Sequence, residues 1–162
     1  MMADNMSGEL VKIVEYSNQY QRAFKALNTE WISKFFELEE ADYQALDHPE
    51  ENILRGGGKI FVALYQGEAV GVCGLKKTEH RDFDYEMVKM AVSPKAQGKK
   101  IGWLLGQATV EAAKKLGGRN IYLEGNTKLE ASIALYHKLG FKEIKSFTPS
   151  YKRVDIIMLL TF

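Results

Sequence analysis

The most informative segment of the chain is Glu86-Met-Val-Lys-Met-Ala-Val-Ser-Pro-Lys-Ala-Gln-Gly-Lys-Lys-Ile-Gly-Trp-Leu-Leu-Gly106. Its pattern predicts an apolar strand, a short basic loop with a glycine, and then an amphipathic helix. The first amides of a helix have no intrahelical acceptor, and the helix dipole places partial positive charge at the same end. Lys95, Lys99 and Lys100 add to that charge. The stretch therefore predicts a site for a phosphate or pyrophosphate group.

Two familiar phosphate-binding loops do not fit this segment. A Walker-type loop needs Gly, four residues and then Gly-Lys-Ser/Thr, but here Gly98-Lys99 is followed by Lys100, and Ser93 stands at the first glycine position. The dinucleotide fingerprint needs glycines at its first, third and sixth positions, whereas the glycines from Gly98 onward recur every four residues. A nucleotide triphosphatase and a dinucleotide-binding protein are both disfavoured.

The loop resembles the pyrophosphate loop of the GNAT superfamily of N-acetyltransferases, which has the pattern Gln/Arg-x-x-Gly-x-Gly/Ala between a strand and a helix. Gln97-Gly-Lys-Lys-Ile-Gly102 matches the first and last positions, and Lys100 replaces the middle glycine. Lysine has less backbone freedom than glycine, but Gly98 can supply part of that freedom and the added cation offsets some of the loss.

A second family signature lies in Asn126-Thr-Lys-Leu-Glu-Ala-Ser-Ile-Ala-Leu-Tyr-His-Lys-Leu-Gly-Phe141, whose core is Ser-x-x-Leu-Tyr-x-x-x-Gly-Phe from Ser132. In the family this helix lies along the pantetheine arm, and its tyrosine lies near the thioester sulfur. The family often has an asparagine at the position of Leu129, so the polar contact to pantetheine would have to come from Asn126. The segment 86–92 is similar to the family's splayed fourth strand, and the whole resemblance covers residues 59–162.

The resemblance implies an α/β (α+β) fold with a mixed, mostly antiparallel central sheet of six to seven strands. Helices cover both faces, and the sheet is splayed between its fourth and fifth strands. Acetyl-CoA is the implied co-substrate, with no metal. The implied cofactor-binding residues are Met90, Ala91, Val92, Gln97, Gly98, Lys99, Lys100, Ile101, Gly102, Trp103, Asn126, Ser132 and Tyr136, and backbone amides around Met90 and Val92 are the implied oxyanion donors.

Tyr136 and Glu86 are the candidate catalytic residues. A phenol with a pKa of about 10 stays protonated at neutral pH and can protonate a sulfur leaving group, although Tyr136 could instead simply pack against the sheet. Strand alternation places Glu86, Val88 and Met90 on one face. A carboxylate in a partly apolar strand can serve as a base, as in the histone-acetylating branch of the family. The alternatives are an ion pair with a nearby lysine, plain solvation, or a water chain as the base.

The acceptor side depends on the helices after the first strand. In the family such helices line the acceptor pocket, so the candidates there are Trp31, Phe35, Phe36, Glu39, Glu40 and Tyr43. The spacing of Trp31 and Phe35 also fits a packed core face, which is the commoner explanation. The acidic run 37–42 would suit a cationic amine, but it is also typical of a solvated helix face.

Composition fits one domain. The chain has 162 residues and a formal net charge of +1, so it has no overall basic field for nucleic acid, and no apolar run approaches the ~20 residues that span a membrane. Residues 1–8 are expected to be a disordered leader and residues 9–162 a single N-acetyltransferase domain. The leader lacks a signal-peptide pattern, which predicts a cytoplasmic protein.

Cys73 lies in an apolar run and is expected to be inert, and the three histidines lack metal-ligand spacing.

Hydrophobic periods and glycine stops also predict the order of the elements. Strands are predicted at 10–16, 60–65, 70–77, 83–92, 120–124, 141–146 and 154–160. One or two helices are predicted over 18–37, and further helices over 42–54, where Pro49 is acceptable if a new helix begins there, 101–116 and 129–139.

The resemblance therefore implies an acetyl-CoA-dependent N-acetyltransferase that acts by direct transfer in a ternary complex, with a small-molecule or peptide amine as acceptor. A non-catalytic acyl-CoA-binding sensor or interaction module is the alternative. An unrelated α/β domain with an ordinary basic helix start would require two accidental motif matches. The resemblance alone allows a homodimer.

Overall fold

The computed structural model describes residues 2–4, 10–145 and 148–162. Its strands are β1 Met2–Asp4, β2 Leu10–Glu15, β3 Lys59–Tyr65, β4 Glu68–Lys77, β5 Tyr85–Val92, β6 Asn120–Gly125, β7 Lys142–Ile144 and β8 Ile156–Thr161. Its α-helices are α1 Gln21–Phe35, α2 Glu40–Asp47, α3 Ile101–Lys115 and α4 Glu130–Leu139. A π-helical turn spans Glu50–Leu54, and 3-10 turns span Asn18–Tyr20 and Pro94–Ala96.

All eight strands form one sheet in the order β1-β2-β3-β4-β5-β6-β8-β7. Neighbouring strands run antiparallel except for β5 and β6, which run parallel. The mixed, mostly antiparallel sheet is thus confirmed, with β2 to β8 as the expected seven strands. Residues 2–4 of the predicted disordered leader instead pair with β2, where Met2 lies opposite Lys12.

The sheet opens between β5 and β6. These strands pair only at Tyr85 with Ile121 and at Glu86 with Tyr122. On its other side β6 pairs with β8 along its whole length, from Asn120 to Gly125. The rest of β5 therefore has no β6 partner on that side. With β2 counted as the first strand, this is the splay between the fourth and fifth strands that the family resemblance implies.

Helices cover both faces of the sheet, as predicted. On one face α3 and α4 pack on a core that includes Leu105 and Phe141. On the other face α1 and α2 contribute Phe24 and Leu46 to a second core. Gly106 allows α3 and α4 to approach closely, because a Cβ there would lie 2.5 Å from a methyl carbon of Leu139.

Element boundaries differ from the predictions mainly at their ends. The predicted segment 42–54 divides into α2 and the π-helical turn, with Pro49 between them. The strand predicted to end at Ser146 ends at Ile144, and Ser146 lies outside the described residues. In the part of the chain that the structure describes, no helix has the length and apolar character needed to cross a membrane.

Candidate active site

A β-bulge interrupts β5 in the middle of the splay. Val72 of β4 pairs with Ala91 and Gly74 pairs with Val88, so Lys89 and Met90 together oppose the single residue Cys73. Lys89 has a φ of 54°, in the left-handed region. Such bulges redirect side chains and end regular pairing.

The bulge corrects the predicted alternation along β5. Met90 was expected on the face of Glu86 and Val88, but it packs with Met87 against the core beneath α3 and α4. Val88 packs against the core on the opposite face. The extra residue at Lys89 shifts the alternation by one position, because strand side chains alternate with a period of two.

Three neighbouring cavities surround this part of β5. The α4 cavity, of about 430 Å³, lies between β5 and α4 and includes Met90, Gly102 and Ser132 in its lining. The central cavity, of about 80 Å³, shares Tyr136 with the α4 cavity. The α2 cavity, of about 290 Å³, shares Glu86 with the central cavity. Both candidate catalytic residues thus line the central cavity, and each also lines one of the two neighbouring cavities.

The loop before α3 contains two residues with left-handed backbone angles. Gly98 has a φ of 84°, and Lys100 has a φ of 61° and a ψ of 23°, which is left-handed. Lys100 therefore adopts the conformation that a glycine would adopt there at lower steric cost. With the described residues Lys100 forms no side-chain cap, so the first amides of α3 remain available to an anion.

All but one of the predicted cofactor-binding residues fall into two groups. Met90, Ala91, Val92, Gln97, Gly102, Ser132 and Tyr136 line the α4 cavity. Gly98, Lys99, Lys100, Ile101 and Trp103 lie in the loop and first turn of α3. Ile101 is buried, so only its backbone is placed to contact a ligand. The Lys138 ammonium lies 5.7 Å from the centroid of the Trp103 ring.

Asn126, the remaining predicted cofactor contact, lines the central cavity but is already engaged with its neighbours. Its side-chain nitrogen donates to the carbonyl oxygen of Arg153, and its side-chain oxygen accepts from the amide of Lys128 at 2.8 Å. These bonds close the turn between β6 and α4 and attach it to the segment before β8.

Glu86 lies among polar neighbours at the start of the splay. The Tyr122 hydroxyl donates to Glu86 Oε1 at 3.0 Å. Burial and then the nearby Glu124 carboxylate raise the pKa of Glu86 to about 7, although the Tyr122 hydrogen bond and Lys76 oppose the rise. At neutral pH this carboxyl group can therefore both hold and release a proton.

Tyr136 lies on α4 and packs against the sheet. Burial is the main cause that raises the pKa of its phenol, and Ser132 opposes the rise through a hydrogen bond. The ring packs edge-on against Phe141, with 6.2 Å between ring centroids. Tyr136 therefore keeps its proton throughout the neutral range, and its ring is fixed by the core.

The residues that sequence reasoning missed form a buried ionic cluster beside Glu86. Arg153 donates to both carboxylate oxygens of Asp42, at 2.8 and 2.7 Å, and Lys89 donates to the same carboxylate. Burial alone would raise the pKa of Asp42, but the hydrogen bonds from Arg153 and Lys89 lower it to about 2. Asn28 of α1 donates to the Lys89 carbonyl oxygen at 3.2 Å, which holds the bulge from the other side.

The segment before β8 is attached to the same cluster. Ser150 donates through its amide and hydroxyl to the Glu124 carboxylate, at 2.6 and 2.9 Å. The Lys152 amide donates to Glu39 at 3.1 Å. Tyr151, between them, lines both the central and the α2 cavities. This segment therefore forms one wall of the space around Glu86.

The acceptor-side candidates have different surroundings. Trp31 and Phe35 line the α4 cavity, and Phe36 lines the central cavity. Tyr43 is exposed, with 44% of its surface accessible. In the acidic run, Glu39 and Asp42 form a capping box at the start of α2, so both carboxylates already accept hydrogen bonds from backbone amides. Glu40 lies in the first turn of the helix.

The side chains that most often bind metal ions in proteins are those of His, Cys, Asp and Glu. Among residues 2–4, 10–145 and 148–162, no three or more His, Cys, Asp or Glu side chains lie together. Cys73 is buried, and burial raises the pKa of its thiol to about 12, as expected for an inert thiol.

Comparison with known proteins gives the same fold and family. A family model described as "Acetyltransferase (GNAT) family" matches residues 20–141. An acetyltransferase of the GNAT family from Staphylococcus aureus Mu50 superposes with a TM-score of 0.84 and 22% identity, covering 93% of this chain and 98% of that one. The YncA structure from Salmonella typhimurium, solved with its cofactor acetyl-CoA, superposes with a TM-score of 0.76 and 18% identity, covering 93% of each chain.

Two curated proteins are similar in sequence. The uncharacterized N-acetyltransferase YjgM of Escherichia coli is 35% identical over 54% of this chain and 53% of its own length, so the match spans about half of that relative. N-alpha-acetyltransferase 30 of Schizosaccharomyces pombe is 28% identical over 84% of this chain and 87% of its own length.

Proposed function

The chain belongs to the acetyltransferase (GNAT) family, and from that premise we propose that it is an N-acetyltransferase that uses acetyl-CoA. The acceptor is the amine of a small molecule or peptide, and transfer is direct, within a ternary complex. The observation that carries this proposal is the central cavity, which has Tyr136 at the α4 cavity and Glu86 at the α2 cavity. The two cavities on either side supply separate spaces for donor and acceptor.

The residues around the α4 cavity fit acetyl-CoA. The first amides of α3 and the lysines of the preceding loop suit its pyrophosphate, and the left-handed Lys100 keeps those amides accessible. The groove between β5 and α4 suits an extended arm, because β5 beyond Glu86 has no β6 partner. When bound, acetyl-CoA supplies an acetyl group activated as a thioester.

The chain's own groups supply the proton transfers. Glu86, with its pKa near 7, accepts the proton of an acceptor ammonium in the α2 cavity. Tyr136 holds its proton at Oη and is the donor for a departing sulfur, and the second proton that the attacking nitrogen loses on forming the amide would restore the phenol. Backbone groups of β5 at Met90 and Val92, beside the bulge, are the candidates to stabilise negative charge on the acyl oxygen.

The first experiment separates cofactor binding from turnover. A ligand at about a hundredfold its dissociation constant adds ~2.7 kcal/mol to stability, so acetyl-CoA and CoA should each raise the thermal midpoint by several degrees and ATP should not. Thiol release should then be measured over an amine panel with Tyr136→Phe. This variant should lose at least tenfold in kcat and keep its CoA-induced shift, whereas Tyr43→Phe, at an exposed site, should keep both.

The alternative, a non-catalytic acyl-CoA-binding module, gives a different result. It would give the midpoint shifts with CoA and no thiol release with any amine. If neither acetyl-CoA nor CoA shifts the midpoint, both the enzyme proposal and the binding-module alternative are rejected. A cytoplasmic location and a homodimer stay predictions, which fractionation and sedimentation would test.

A further inference from the structure

The α2 cavity has the features of a pocket for the part of the acceptor that lies behind its amine. Its volume of about 290 Å³ lies just below the range of roughly 300–1,000 Å³ that is typical of ligand sites. The small side chains of Ala41 and Ala45 of α2 line this space together with Ser150 and Tyr151. The space therefore suits a compact acceptor.

The acids expected to attract a cationic acceptor do not face this cavity as free charges. Asp42 is fully buried and forms ion pairs with Lys89 and Arg153. Glu39 accepts from the Lys152 amide and forms an ion pair with Arg153. Because these carboxylates are neutralised, a second ammonium in the acceptor would gain little from them.

Two lysines line the α2 cavity, Lys76 and Lys89, and they differ in their partners. Lys76 lies on β4 directly opposite Glu86 of β5, so the two side chains share one face of the sheet. Unlike Lys89, it forms no ion pair with any residue in the described ranges, and it lines the α2 cavity but not the central cavity. Its charge is therefore placed to act on a ligand in the α2 cavity.

We propose that the acceptor is a small amine that also carries an anionic group, with the amine at Glu86 and the anionic group at Lys76 in the α2 cavity. This inference rests on the proposed function and specifies its substrate class. A diamine of the same length would place its second ammonium beside Lys76, where like charges repel. Recognition of the anion by Lys76 would then select amino acids over amides and diamines.

The test compares matched acceptors. β-Alanine and 4-aminobutyrate are each assayed beside their primary amides, with 1,3-diaminopropane as the cationic analogue and 2-aminoethylphosphonate as a phosphate-type anion. The amino acids should exceed their amides at least tenfold in kcat/KM. In Lys76→Gln that preference should fall about tenfold, mainly through KM, and in Lys76→Arg it should be kept. A higher rate with the phosphonate than with β-alanine would assign the anion as phosphate-type.

Lys77→Gln is the matched control, because Lys77 is the next residue of β4 and is exposed outside the cavity. It should leave the preference unchanged. Equal use of acids and amides, a preference for the diamine, or equal effects of Lys76→Gln and Lys77→Gln would overturn the proposal. Thermal midpoints of both variants, with and without acetyl-CoA, establish that they fold and bind the donor.

A binding measurement separates this inference from the proposed function. Calorimetric titration of the CoA-loaded protein should detect 4-aminobutyrate and give at least tenfold weaker binding of its amide. Binding without any thiol release would reject the proposed reaction and keep the acceptor-site inference. Absence of binding by both amino acids and by the phosphonate would overturn the inference, whatever other amines the enzyme acetylates.

Discussion

At the scale of single residues, the protonation of Glu86 should control the rate. Burial and the Glu124 carboxylate raise its pKa to about 7, and only the carboxylate form can accept a proton from the acceptor. We expect kcat/KM to rise with pH up to about 7 and then to level off. Glu86→Gln should lose this dependence and lower kcat/KM by about 100-fold or more, as measured by pH–rate profiles.

Glu143→Gln is the control for that profile, because Glu143 is an exposed residue of β7. It should keep both the rate and the pH dependence. If kcat/KM of Glu86→Gln still rises with pH up to about 7, the titrating base is another group. A water chain would then replace Glu86 in the mechanism.

At the scale of secondary-structure elements, Asp42 joins α2, the β5 bulge and the segment before β8. Asp42→Ala would leave Lys89 and Arg153 without their buried carboxylate partner, which typically costs about 3–5 kcal/mol in the free energy of unfolding. Asp47→Ala on the same helix removes an ion pair with Lys25. The side chain of Lys25 is 47% exposed and that of Asp47 is 37% exposed. This substitution should cost no more than about 1 kcal/mol. Urea unfolding of both variants measures the difference.

Equal losses from the two aspartate variants would contradict the importance of the buried cluster. A second expected effect follows from geometry, because the cluster holds the wall that Tyr151 forms beside the cavities. Asp42→Ala should therefore also raise the KM for the acceptor more than the KM for acetyl-CoA.

The order of elements could be predicted from sequence because its signals are local. The glycine stop after α3 and the Gly140-Phe141 end of α4 depend on neighbouring residues only. The bulge could not be predicted in this way, since its register depends on pairing with β4. Asp42 is 47 residues from Lys89, and its acidic run is typical of a solvated helix face, so its burial depends on tertiary contacts. Glu39 and Asp42, three residues apart, could have indicated the cap, but not the cluster.

At the scale of the whole molecule, two carboxyl groups should shape stability in opposite directions. The pKa of Asp42 is lowered to about 2, so its contribution is present above its ordinary pKa and is lost as the pH falls toward 2. The pKa of Glu86 is raised to about 7, so the folded protein holds a proton that the unfolded chain releases. Its contribution is fully present below its ordinary pKa of 4.5 and is lost as the pH rises through 7.

The difference in unfolding free energy between Glu86→Gln and the wild type should therefore depend on pH. Between pH 4.5 and 7.5 it should shift in favour of the variant by up to about 3 kcal/mol, since one pKa unit corresponds to about 1.4 kcal/mol. Urea unfolding at four pH values in this range measures it, with Glu143→Gln as the exposed control that should show no such shift. A difference that stays constant with pH would mean that Glu86 titrates in the folded protein as it does in the unfolded chain. The acid–base role assigned to its raised pKa would then have no physical basis.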